Sequence, residues 1–115
     1  MIGEAKIDPL GEDVALVGYA GRLNMASAHR LTKAVEEAIE EGRTRIVIDL
    51  AETTFIDSSG LGALIAALKS TREAGGDLRV ARATDQAVAV LCLTNLDRIL
   101  RPYLSLTSAL DGWRA

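Results

Sequence analysis

The stretch TTFIDSSGLGALIAAL, Thr53 to Leu68, changes character halfway along. As far as Ile56 it is β-branched and aromatic, the composition of a strand or a strand exit. From Leu61 onward, Leu61, Leu64, Ile65 and Leu68 recur at i, i+3, i+4 and i+7, the apolar stripe of a helix. Asp57, Ser58, Ser59 and Gly60 lie between the two patterns. A strand passing into a helix through four small or polar residues raises two alternatives. Those residues merely start the helix, or they present a hydroxyl to something else.

The rest of the chain reads outward from this junction. AKIDPLGEDVALVGYAG predicts two strands around a turn at Pro9, Gly11, Glu12 and Asp13, with Gly21 breaking the second strand. From Ser27 to Glu41 the spacing is helical: Ala28, Leu31, Val35, Ala38 and Ile39 share one stripe. Asn24 or Ser27 can cap this helix and Gly42 can end it. RTRIVIDLAE predicts a strand with Ile46, Ile48 and Leu50 on one face and Val47 on the other, a pattern expected of a central strand. The second helix is expected from about Ser59 to Ala74, where Gly75 and Gly76 stop it. DLRVAR then forms a short strand. A third helix starts at Thr84 or Asp85 and runs through QAVAVLCLTNL, and RILRPYL supplies an edge strand in which Pro102 is tolerated. Ser105 or Thr107 can cap a last short helix before Trp113. The expected fold class is α/β: a mixed, mostly parallel sheet of about four to five strands with about four helices, in one domain spanning residues 1–115.

Composition narrows the function. In 115 residues, 49% are apolar and 25% charged, which suits one globular domain with its own core. A net charge of −3 argues against a nucleic-acid-binding surface. Only Phe55, Tyr19, Tyr103 and Trp113 are aromatic, so stacking platforms for bases are not expected either. The N-terminus carries Glu4, Lys6 and Asp8 instead of a leader pattern, and the longest low-charge run, Phe55 to Leu68, is too short for membrane insertion. A cytoplasmic protein is expected. The lone Cys92 sits in an apolar run and reads as a buried thiol. One His and one Cys cannot build a structural zinc site, so no metal and no cofactor are expected. His29, the sole histidine, falls in a helix with no nucleophile elbow to serve, and Gly60-Leu61-Gly62 lacks the lysine of a phosphate loop. An enzyme with catalytic residues is therefore not expected.

A serine at a helix start has two uses. As an N-cap it contributes about 1 kcal/mol. As a phosphoryl acceptor it gains roughly −1.5 to −2 charges, which a helix N-terminus tolerates. One serine satisfies the cap, and a second leaves a spare hydroxyl. Spacing alone favours the cap.

FIDSSGLGALIAAL, preceded by RIVIDLAETT and VGYAGRLNMASAHRLTKAVEEAI, resembles the STAS domains of bacterial anti-sigma factor antagonists, the group typified by the SpoIIAA and RsbV proteins. The Asp-Ser-Ser-Gly-Leu-Gly run is the most specific part, and the likeness extends over nearly the whole chain. The resemblance implies a regulator whose unphosphorylated form binds an anti-sigma factor that is also a serine kinase, freeing the sigma factor. It implies phosphorylation of Ser58, release of the partner, and resetting by a PP2C-type phosphatase. By position, Arg22, Asn24, Asp57, Ser58, Ser59, Gly60 and Leu61 would form the partner-binding surface. The family pattern Gly-x-Leu-Asp reads Gly-Arg-Leu-Asn here, so Asn24 keeps the hydrogen-bonding capacity of that position without its charge. The alternative is a STAS scaffold or accessory subunit, in a stressosome or attached to a transporter, in which Ser58 is not modified.

Overall fold

The computed structural model describes residues 3–113, so residues 1, 2, 114 and 115 of the expected domain lie outside the described residues. The strands and helices of the described residues run β1 Glu4–Pro9, β2 Val14–Leu23, α1 Ala28–Glu40, β3 Arg45–Asp49, β4 Thr53–Ile56, α2 Ser58–Glu73, β5 Asp77–Ala81, α3 Asp85–Leu93, β6 Pro102–Tyr103 and α4 Leu106–Ala109. A single 3-10 turn, Leu96–Arg98, intervenes before β6. The main sheet has the order β1-β2-β3-β5-β6, with β4 paired to β2 off that path. Only β1 is antiparallel, against β2; the β2–β3, β3–β5, β5–β6 and β2–β4 pairs are all parallel. The expected α/β class holds, and the short β4 brings the sheet to six strands.

Both faces of β3 are covered, as its alternation predicts. Ile46, Ile48 and Leu50 enter the main core with Leu31 and Val35 of α1, Leu64 of α2 and Leu91 of α3. Val47 points the other way, into a smaller cluster with Val14, Ala81 and Ala109. Arg79 ties the last helix to that second face. It donates to the carbonyls of Ala109 and Asp111, both at 2.9 Å, and its guanidinium lies 4.0 Å from the Trp113 ring centroid.

The glycine stops work as the pattern predicts. Gly42 and Gly75, at φ of 87° and 88°, each follow a helix in the left-handed region. Each donates back into the last turn, Gly42 to Ile39 and Gly75 to Arg72, while the next residues reach Ala38 and Thr71. Ser105 caps α4 in a reciprocal arrangement with Ser108.

Three expectations are corrected. Gly21 does not end the second strand. At φ 96° it introduces a register shift, and β2 continues to Leu23 with a new neighbour: Val14–Gly18 pair with β3, whereas Gly21–Leu23 pair with β4. The third helix stops at Leu93: the Thr94 N–H still reaches the Val90 carbonyl, and Asn95 then turns left-handed at φ 59°, with its N–H on the Cys92 carbonyl. Cys92 is exposed, not buried. Every residue of α3 after Gln86 is apolar, so composition could not say which side meets the core; Ala87 and Leu91 do, leaving Cys92 and Leu93 outside.

Candidate functional site

The junction read first in the sequence forms where β4 ends against β2. Leu23 pairs with Ile56, and the Leu23 carbonyl accepts the Asp57 N–H at 3.3 Å. That bond carries the pairing with β2 one residue past Ile56, so Asp57, not a serine, is the residue before the helix. Asp57 has extended backbone, φ −108° and ψ −172°, and its Oδ1 accepts the Gly60 N–H at 2.9 Å. The expectation that Ser58 or Ser59 caps α2 is therefore corrected. Ser58 is the first helical residue and is exposed, and Ser59 is half-buried. Neither hydroxyl is needed to start the helix. Asp57→Ala is expected to cost about 1 kcal/mol, a fall of roughly 4 °C in melting temperature, whereas Ser58→Ala should leave that temperature within a degree or so. Differential scanning calorimetry of the two variants checks both outcomes.

Gly60 and Leu61 are buried, and Gly60 allows a close approach. A Cβ there would stand 2.4 Å from the Leu23 carbonyl oxygen and 2.9 Å from Leu23 Cγ. The first turn of α2 thus lies directly on the ends of β2 and β4. Of the expected partner surface, Ser58 is open to solvent, Asp57 and Ser59 partly so, while Gly60 and Leu61 shape it from beneath.

Arg22 and Asn24 belong to the adjoining wall. Arg22 pairs with Phe55 across β2 and β4, is exposed, and places its guanidinium 4.9 Å from the Phe55 ring centroid. Asn24 turns its side chain inward on its own loop. Its Oδ1 accepts the Ala26 N–H and the Ser27 hydroxyl, both at 3.1 Å, and its backbone carbonyl accepts the N–H groups of Ser27 and Ala28. Ser27 is the N-cap residue of α1, yet its side chain makes no cap bond there. Its hydroxyl also lies 2.6 Å from the Arg22 carbonyl. The Asn24 side chain serves here only as an acceptor, a task that an aspartate performs equally, while its backbone N–H donates to the Ser27 Oγ at 3.2 Å. His29 is exposed on α1.

Two contributors had no legible signal in the sequence. Met25, on the same loop, is 81% exposed and offers apolar surface there. Gln86 of α3 bonds to the backbone of Ile56, immediately before the cap. A glutamine in the first turn of a helix reads as ordinary surface, and only the fold brings it to β4.

The sequence matches the STAS domain family over residues 10–109. This chain belongs to the STAS domain family. A homologue from Thermotoga neapolitana, described as a candidate anti-sigma factor antagonist, is 34% identical over 87% of this STAS domain chain and 89% of its own length. The anti-sigma-F factor antagonist RsfB of Mycobacterium tuberculosis is 30% identical over 88% of this chain and 82% of its own. The crystal structure of a candidate anti-sigma factor antagonist from Thermotoga maritima matches with a TM-score of 0.85 at 29% identity, covering 96% of this chain and 95% of that one. Among the described residues, no helix of this STAS domain is long and apolar enough to cross a membrane.

Proposed function

We propose that this STAS domain is an anti-sigma factor antagonist whose binding is switched off by phosphorylation of Ser58. One observation carries the reading: Asp57 supplies the cap, so the exposed Ser58 hydroxyl at the helix tip has no duty to the fold. The names of the relatives support the antagonist part of the reading. The unphosphorylated domain docks its α2 tip, with Arg22 near the end of β2 and Asn24 and Met25 of the loop that follows, on an anti-sigma factor that is also a serine kinase. The kinase transfers the γ-phosphoryl group of ATP to Ser58 Oγ, with loss of the hydroxyl proton and release of ADP. The new dianion sits at the positive end of α2, where the fold tolerates it, but it disrupts the docked surface. A PP2C-type phosphatase removes it by hydrolysis. The domain itself acts as a binding module and not as an enzyme.

Incubation with a candidate kinase and ATP, followed by peptide mass spectrometry, tests this directly. The expected result is a gain of about 80 Da, one phosphoryl group, on the peptide containing Ser58 and none in Ser58→Ala. Modification confined to Ser59, or none with a kinase that binds the domain, would overturn the assignment.

A further inference from the structure

The short strand β4 has one strand neighbour among the described residues, β2, and its other edge faces α3. Successive residues of an extended strand direct their backbone groups to opposite edges. The Asp57 N–H points to Leu23 of β2, so Ile56, one residue earlier, points both its N–H and its C=O away from β2. No strand meets them there. Gln86 does: its Oε1 accepts the Ile56 N–H at 3.0 Å, and its Nε2–H donates to the Ile56 carbonyl at 2.9 Å. The side-chain amide reproduces the donor and acceptor pair of a missing strand. Reversing the amide would set donor against donor and acceptor against acceptor, so this orientation is the one that satisfies both.

Gln86 is itself well anchored. Thr84 caps α3 by accepting the Ala87 N–H, and the Ala87 and Leu91 side chains are fully buried in the main core. The clamp therefore joins a fixed helix to the last strand residue before Asp57 and Ser58. We propose that Gln86 is the positioning residue of the switch, holding the β4–α2 junction in the geometry that presents Ser58 to the partner. This rests on the reading of Ser58 as the switch, which the experiment below tests separately.

The test compares wild type with Gln86→Leu, similar in size but unable to bond, and with Gln86→Glu, which keeps an acceptor for the Ile56 N–H but cannot donate when ionised. Amide hydrogen exchange on the free protein reads the clamp without any partner. Exchange at Ile56 to Ser59 is expected to quicken about tenfold or more in Gln86→Leu, with interior β3 amides such as Ile46 and Ile48 unchanged. Calorimetric titration against the anti-sigma factor kinase should then show affinity about tenfold weaker for Gln86→Leu, with Gln86→Glu between it and wild type. Unchanged exchange at the junction, or equal acceleration across the whole domain, would overturn the proposal, as would local acceleration with affinity untouched. If wild type and Ser58→Asp bind the kinase equally, the switch reading fails instead. Exchange at the junction then decides alone whether Gln86 holds it.

Discussion

Ser58→Asp is expected to weaken binding to the anti-sigma factor by about a hundredfold, while Ser58→Ala binds as wild type does. The figure follows from the penalty for setting a new carboxylate against a closely packed or acidic partner surface, about 3 kcal/mol, at roughly 1.4 kcal/mol per tenfold. A general loss of folding would not explain the result. Ser58 is the first residue of a 16-residue helix, and the cap belongs to Asp57. An aspartate at that position interacts favourably with the helix dipole, by about 0.3–1 kcal/mol, so the melting temperature should hold or rise slightly. Titration calorimetry on the three proteins, with melting curves alongside, separates the two effects. Equal affinity of the alanine and aspartate variants would remove the switch and leave the scaffold reading. A true phosphoryl group, with up to twice the charge, should weaken binding at least as much.

Gly60→Ala is expected to destabilise the domain by about 2 kcal/mol, a fall of roughly 8 °C in melting temperature. The added methyl would stand 2.4 Å from a backbone oxygen, that of Leu23, and 3.1 Å from Ile56 Cγ2. Neither neighbour can rotate away, since Leu23 is the last residue of β2 and Ile56 is held in β4. The helix preference of alanine over glycine, about 1 kcal/mol at most, offsets only part of the strain. Gly62→Ala, two residues on, is the control. Its Cβ would meet nothing within 4 Å, so the same propensity term should act alone and raise stability by up to about 1 kcal/mol. Chemical denaturation of both variants checks the contrast, and a neutral Gly60→Ala would contradict the close approach of α2 to β2. Relief of that clash also has to move the β2–α1 loop, so the variant should bind the partner less well than its residual stability alone would explain.

The elements that were legible owe it to chemistry confined to a few residues. Leu61, Leu64 and Leu68 mark the buried side of α2 by spacing, and Gly42 and Gly75 end their helices because each needs a left-handed backbone. The candidate site was legible for the same reason: hydroxyls, a carboxylate and a glycine cluster where strand periodicity gives way to helical. The misreadings share a different cause. Gly21 has the same composition signal whether a strand stops or bends, and the arrival of β4 beside β2 settles which. Cys92 lies on a helix with apolar residues on every side, so periodicity cannot assign its inner face. Asp57, Ser58 and Ser59 are near-equal caps in isolation, and the bond from Asp57 to Leu23 chooses among them.

By itself, then, the sequence determined the order of the elements, the α/β class and the placing of a serine pair at a helix start, since each depends on interactions spanning about one turn. The tertiary structure decided which residue caps α2, where β2 changes partner, and how Gln86 reaches Ile56 across thirty positions of chain. Contacts at that separation are set by how packed layers meet. They leave no periodicity or turn chemistry in the segments they join.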